Sequence, residues 1–356
     1  MAERVLLAQT SFLGDVVLTT AFARALQSAD AEVELWWLVR PQAVPLLEPT
    51  YGSERVLAFD KYGVDAGPVG LARMAGRLRS IGFAKAYGIQ RSLRTASLLA
   101  LAGIPLRVGY AGSAGAWLYH RRVPRRGSHA LDRLLALLEG DPGTASGLPE
   151  FLPHLDVDPV ADRRVERRLA EAGAGREEEP IVVAPGSAWA TKEWPAESFA
   201  EAAARLARPG LDRIVVLGTT ADTAKAHLMR KVIEREADVA MIDATGGTSI
   251  ADAIAWLARA RLVLANDSAP AHIAASFGRP LVSVFGPTVP AQGFAPLGPL
   301  VRIVGKPLGC RPCSRHGGAR CPIDTHECMV GLGVSEVVAA GRDLLAPKRG
   351  RDAEAG

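Results

Sequence analysis

No stretch of this 356-residue chain is apolar over the roughly 20 residues that a membrane-spanning helix needs. The N-terminus runs into a strand-like segment at Arg4–Ala8 without the charged-then-apolar layout of a secretion signal, so a cytoplasmic protein is expected. Two phosphate-binding signatures are missing as well. The loop after that first strand has no G-x-G-x-x-G, which removes the best support for a nicotinamide or flavin enzyme. The chain has no G-x-x-x-x-G-K followed by Ser or Thr, which disfavours a P-loop ATPase. Cysteine is scarce, with four residues that all fall between 310 and 328. Aromatic residues make up 6% and are not interleaved with the basic clusters, and the net charge is only +4, so nucleic acid is not an expected partner.

What is present reads as a globular protein, with 48% hydrophobic and 22% charged residues at a length that one core rarely serves. Strand-like and helix-like segments alternate. Arg4–Ala8, Val33–Leu38, Ala84–Gly88 and Arg107–Gly109 read as strands, with helices over Gly14–Gln27, Val69–Arg79 and Ser92–Ala102. Around 161–179 the composition shifts to charged and small residues, which places a domain boundary there. The same grammar then restarts with strands Ile181–Ala184, Arg213–Leu217, Val239–Ile242, Leu262–Ala265 and Leu281–Phe285. The helices between them are Ala196–Ala207, Ala221–Glu234, Ile250–Arg259 and Pro270–Phe277. Such alternation implies two parallel sheets covered on both faces, whose ligands bind outside the carboxyl ends of the strands.

Four loops at strand carboxyl ends hold more chemistry than a turn requires. After the first strand, Ser11 and Phe12 lead to Gly14, read as a tight-turn residue, and Asp15, which serves either as a helix cap or as a carboxylate able to take a proton. The Pro185–Pro195 loop carries Ser187, Thr191 and Lys192, a set suited to phosphate oxygens. In Gly218–Asp222, capping by Thr220 competes with a reach of the loop toward a ribose or base. In Asn266–His272, Asp267 and Ser268 cap a helix whose start, with Ala269 behind it and Pro270 at the first position, otherwise forms an anion site; His272 is either a structural histidine or a ligand contact.

Gly14-Asp15, Pro185-Gly186-Ser187 with Lys192-Glu193-Trp194-Pro195, Asn266-Asp267-Ser268 with His272, and Phe285-Gly286-Pro287-Thr288 occur in this order. The combination resembles the bacterial ADP-heptose:lipopolysaccharide heptosyltransferases of glycosyltransferase family 9, and within them heptosyltransferase II, from about Arg4 to about Leu345. The resemblance implies an α/β GT-B fold of two Rossmann-like, doubly wound domains facing across a cleft. An acceptor-binding domain is expected over 1–170 and an ADP-sugar-binding domain over 178–335. A closing helix over 336–346 is expected to pack back on the first domain, and 347–356 to be a disordered tail.

The implied reaction is an inverting transfer of heptose from ADP-L-glycero-D-manno-heptose to the phosphorylated inner-core glycolipid of lipopolysaccharide, without a required cofactor or active-site metal. Asp15 takes the role of general base and Lys192 that of neutralising the departing diphosphate. Ser187, Thr191, Lys192, Asp222, Asp267, Ser268, Ala269 and His272 are the expected donor contacts, and Ser11, Gly14, Arg91, Arg94, Arg121 and Arg122 the acceptor contacts. Where members of the family often carry Gly, this chain has Ala269, which narrows the approach of the donor. A transferase with another nucleotide sugar or acceptor, and a sugar-nucleotide-binding protein without turnover, remain open.

Arg121, Arg122, Arg125 and Arg126 form a basic segment that suits a phosphorylated substrate at an anionic surface, which fits peripheral attachment to the inner face of the cytoplasmic membrane. Cys310 and Cys313 have the spacing of a metal half-site, while Cys321 and Cys328 are more loosely spaced. Structural zinc and free thiols are the two readings, since a cytoplasmic setting disfavours disulfides.

Overall fold

The computed structural model describes residues 3–139, 151–175 and 178–346, so the expected tail over 347–356 lies outside the described residues. The chain forms two compact units: the first is Met1–Ala161 with Pro290–Leu297, and the second is Asp162–Val289 with Gly298–Gly356.

The first unit contains β1 (Arg4–Gln9), α1 (Leu13–Ala29), β2 (Glu34–Val39), α2 (Val44–Tyr51), β3 (Val56–Ala58), α3 (Gly67–Ile81), β4 (Lys85–Gly88), α4 (Leu93–Leu101), β5 (Leu106–Tyr110), β6 (Arg121–Val123) and α5 (Ala130–Glu139). Its six strands are ordered β3-β2-β1-β4-β5-β6 and pair in parallel. The chain leaves β1 in one direction and returns beside it at β4, so the topological switch point lies between those two strands. Val5 to Ala8 are fully buried, as the strand at the centre of a two-sided sheet must be.

The second unit contains α6 (Pro159–Glu171), β7 (Ile181–Ala184), α7 (Ala196–Leu206), β8 (Arg213–Gly218), α8 (Thr223–Glu236), β9 (Ala240–Thr245), α9 (Ile250–Ala258), β10 (Leu262–Asn266), α10 (Ala269–Ser276), β11 (Leu281–Val284), β12 (Val301–Val304), α11 (Glu327–Val330) and α12 (Val334–Leu345). The order β12-β11-β10-β7-β8-β9, again all parallel, repeats the first sheet's plan. Its switch point lies between β7 and β10.

Two boundaries differ from the sequence expectation. The break falls in the first turn of α6, because the rest of that charged helix is tied to the second unit: Arg259 grips Asp162 at 2.6 Å, Arg164 donates to Asp252 and Arg168 donates to the Asp243 carbonyl. The short piece 290–297 belongs to the first unit. There Gly293 accepts the Ala130 N–H at 2.7 Å, and the Ala295 carbonyl meets His129 Nε2 at 3.0 Å. The closing helix α12 also differs from expectation. It packs on α7, β11 and β12, with Val337 and Val338 buried in the second unit's core beside Leu206 and Leu262. The cause is its apolar face, which Gly341 lets come close: a Cβ there would meet Leu206 at 2.7 Å.

Candidate active site

At the second sheet's switch point, a backbone turn and a carboxylate hold one lysine. Lys192 lies in the loop between β7 and α7, and its ammonium meets Asp267 Oδ2 at 2.5 Å and the Asp267 carbonyl at 3.3 Å. Thr288, after β11, donates to the same carboxylate oxygen at 2.6 Å. Asp267 therefore does not cap α10. Ser268 is the N-cap by backbone position, but its hydroxyl turns to the Asn266 carbonyl, so the N-cap side chain makes no bond to the start of the helix. Pro270 stands at the second helical position and Ala269 at the first, one residue earlier than the sequence pattern suggests. His272 sits within the first turn, nearly buried.

Asn266 makes this arrangement rigid. It is fully buried; its amide donates to the Pro185 carbonyl at 2.8 Å and accepts from the Trp194 N–H at 3.0 Å. One side chain thus pins both ends of the Lys192 loop to the end of β10. The Asn266 motif was visible in the sequence, but its bracing role was not, because amide partners 72 and 81 residues away leave no local trace.

Three expected donor contacts, Asp222, Ser187 and Thr191, have partners within the protein. The Asp222 carboxylate accepts from the Thr219 N–H and hydroxyl and pairs with Lys225 at 2.8 Å, closing a capping box in which Thr219, not Thr220, is the cap residue. Burial opposes the Asp222 charge, but the Lys225 and Thr219 bonds outweigh it and hold the carboxyl below its ordinary range. The box needs Gly186 and Gly218, where a Cβ would meet Asp222 atoms at 2.7 and 2.6 Å. Lys225 also meets Glu193, which accepts the Ser187 N–H at 3.1 Å, and the Ser187 hydroxyl accepts from Trp189 N–H. The buried Thr191 hydroxyl donates to the Gly318 carbonyl and accepts from the Gly318 N–H.

At the first sheet's switch point, Asp15 lies in the first turn of α1, half-buried. Only its backbone carbonyl is bonded, to the Thr19 hydroxyl; among the described residues nothing hydrogen-bonds or pairs with its carboxylate. The capping alternative therefore fails, since α1 has no side-chain cap. Gly14 is inside that same turn and is not among the left-handed glycines, so the tight turn expected of it is absent: α1 begins at Leu13.

Around this position the loops are cross-linked. Thr10 donates to Gln90 at 2.7 Å, Lys61 donates to the Thr10 carbonyl at 2.8 Å, Arg94 donates to the Lys61 carbonyl, and Arg91 donates to the Gly112 carbonyl at 3.0 Å. Arg94 thus reaches the Thr10–Ser11 loop through Lys61, while Arg91 is held by the loop after β5. Lys61 was not foreseen because β3, which delivers it, is only three residues long. Burial, reinforced by Arg40 and Arg94, lowers its pKa, with Tyr62 working the other way. Arg121 and Arg122 lie instead at the start of the edge strand β6, both exposed.

The four cysteines are free thiols: Cys310 and Cys313 exposed, Cys321 half-buried, Cys328 buried against the second core beside Met329. Among the described residues no group of three or more His, Cys, Asp or Glu side chains meets the arrangement of a metal site, so of the two readings the structure gives zinc no support. Burial raises the Cys328 thiol pKa, and Cys313, Cys321 and Cys310 are all near enough to add to that rise.

Two parallel sheets with polar groups gathered at each switch point have solved counterparts. The structure aligns with that of a glycosyltransferase family 9 protein from Veillonella parvula DSM 2008 at a TM-score of 0.80 and 22% identity, over 97% of each chain. It aligns with E. coli ADP-heptose lipopolysaccharide heptosyltransferase II at 0.77 and 20% identity, over 96% of this chain and 98% of that one. The fold is GT-B and the protein is a glycosyltransferase. The family model of glycosyltransferase family 9 (heptosyltransferase) matches residues 71–321, and the chain belongs to that family. Its sequence is 26% identical over 296 residues to lipopolysaccharide heptosyltransferase 2 of E. coli strain K12, covering 81% of this chain and 84% of the relative.

Proposed function

We propose that this enzyme transfers heptose from an ADP-activated heptose to the phosphorylated inner core of lipopolysaccharide, with inversion at the anomeric carbon. The observation that carries the reading is the Asp15 carboxylate in the first turn of α1, which has no partner among the described residues. A carboxylate that neither caps nor pairs remains available to take the proton of an attacking hydroxyl. The donor side is read from the other sheet. Of the three protons on the Lys192 ammonium, two bonds go to Asp267, leaving one for a phosphate oxygen as the diphosphate departs. The uncapped start of α10, with Ser268 and Ala269, adds a positive field beside it, and Ser187 and His272 belong to the same surroundings. Thr191 and Asp222 support this site through the loops rather than through the ligand. Arg91 and Arg94, with Lys61, serve the anionic acceptor together with Ser11; Arg121 and Arg122 extend that charge along the edge strand.

The relatives' names supply the heptose and the lipopolysaccharide core, and an adenine nucleotide is the matching donor. Among the described residues no helix is long and apolar enough to cross a membrane. We infer peripheral attachment to the inner membrane face, for which the first unit's exposed aromatic and basic residues provide the surface. The test is transfer of heptose to core glycolipid by Asp15→Asn. Transfer falls by about 10²–10⁴-fold with ADP affinity unchanged if Asp15 is the base. Transfer within a few-fold of the parent enzyme contradicts the assignment, and transfer of a different sugar only would keep the mechanism and replace the donor.

A further inference from the structure

The cysteine-bearing segment after β12 has no catalytic task in the scheme above, yet its bonds converge on the two loops that hold Lys192. Thr191, the residue before that lysine, is gripped from every polar atom. Its N–H and hydroxyl both donate to the Gly318 carbonyl, at 3.1 and 2.9 Å. Its hydroxyl accepts the Gly318 N–H at 2.8 Å, and its carbonyl faces His326 Nε2 at 2.9 Å. Since a carbonyl only accepts, that ring nitrogen must carry the proton. Gly317, at φ +95°, lies flat on the turn: a Cβ there would meet Trp189 at 2.8 Å and the Lys192 stem at 3.1 Å. From the same segment, Arg311 donates to the carbonyls of Phe285 and Thr288, and the Thr288 hydroxyl holds the Asp267 carboxylate.

His326 is held in an unusual way. Its φ of 50° is left-handed, a conformation that costs a non-glycine residue about 1 kcal/mol or more. It starts α11 without a side-chain cap bond, so helix capping does not account for a histidine there. Its backbone N–H turns toward the Cys321 sulfur while its ring reaches the Thr191 carbonyl. A glycine would suit the backbone better; the ring contact is what the histidine adds.

We propose that His326 is a positioning residue for the leaving-group lysine, acting through Thr191 as the clamp of a strap formed by residues 306–330. This rests on the reading of Lys192 as the diphosphate ligand. The strap holds the 189–193 turn and, through Thr288, the carboxylate that orients the ammonium. His326→Gly is the discriminating variant, because it deletes the side chain with its ring contact while relieving the left-handed backbone. Thr191→Val removes the hydroxyl contacts in a side chain of similar shape.

The measurements are amide hydrogen exchange over 189–193, ADP affinity and melting midpoint. Faster exchange in that turn, ADP binding weakened about tenfold and an unlowered midpoint in His326→Gly support the proposal, with the same direction in Thr191→Val. Exchange over 189–193 equal to that of the parent protein overturns it. So does a lowered midpoint with exchange raised throughout the second unit, which would make the ring a general structural contact. Lys192→Ala, measured beside them, separates the two ideas: ADP affinity unchanged there contradicts the role of the lysine, while the exchange data still judge the clamp.

Discussion

Asp15 and Lys192 are opposite charges held to opposite degrees. The carboxylate has no partner among the described residues, while the ammonium is fixed by a carboxylate that a threonine also holds. That contrast suits their proposed tasks. A general base must be able to change its charge, and an electrostatic anchor must stay charged and in place as negative charge develops beside it. Replacing Asp15 by Asn keeps the shape and removes the acceptor of the proton, so the loss belongs to transfer and not to nucleotide binding. The placement of both residues after an apolar strand was legible in the sequence; Asp15 falls in the first turn of α1 and Lys192 in the connection after β7. Thr288 and Lys61 were not singled out. Thr288 was visible only as the end of a motif, and the significance of Lys61 depends on Thr10, Arg40 and Arg94, which the chain brings near it only on folding.

At the scale of the element, the site is a product of strand ends and helix starts. Two of its helix starts are treated differently. The helix α10 begins without a side-chain cap, with its nearby carboxylate diverted to Lys192, whereas the short turn leading into α8 is closed by the Thr219–Asp222 box. The first arrangement leaves positive potential for an anion and the second neutralises it. Asp222 therefore reports stability in the present account. Asp222→Asn is expected to destabilise the protein by about 1 kcal/mol at neutral pH.

Because the folded carboxyl is held below its unfolded value of 3.8, its contribution is present above that pH and is lost as pH falls through the lower folded value. Parent and variant melting midpoints should accordingly converge on acidification; a constant gap down to strongly acidic pH would contradict it. The cap itself was misplaced by one residue in the sequence reading, since Thr219 and Thr220 are chemically equivalent candidates. The start of α1 was shifted likewise, because glycine at position 14 suggests a turn although nothing in its neighbourhood requires a positive φ. The strands that were read lie within three residues of their observed bounds, as continuous apolar runs such as Leu262–Ala265 admit few alternatives in a sheet buried on both faces, whereas the short edge strands β3, β6 and β12 were not read.

At the scale of the whole molecule, each unit repeats the strand order of the other and carries its chemistry at the equivalent switch point. The alternating grammar made this duplication legible; the assignment of α6 and α12 was not, since arginine pairs and a single glycine contact decide where those helices dock. The first unit also carries a surface that suits its proposed partner. Phe12, Tyr62, Val64 and Trp117 are exposed on connections linked by the Lys61, Arg94 and Arg91 bonds, with Leu93 exposed at the start of α4, and Arg40 and Lys61 lie over the Tyr62 ring at 5.5 and 5.2 Å from its centre. Aromatic residues that carry cations into an exposed rim suit an anionic lipid interface. The protein is expected to sediment with phosphatidylglycerol vesicles and not with phosphatidylcholine, and Tyr62→Ser with Trp117→Ser should reduce that binding several-fold. Equal sedimentation with both lipids would contradict this role of the rim.

The central claim, that the second unit cradles an adenosine diphosphate leaving group on Lys192, is tested most directly by calorimetric titration with ADP, UDP and GDP. Parent protein and Lys192→Ala are compared under the same conditions. ADP is expected to bind most tightly and Lys192→Ala to weaken it by about tenfold or more, the loss of one charge-assisted contact. Preference for UDP or GDP, no nucleotide binding, or ADP binding indifferent to the loss of Lys192 would contradict it.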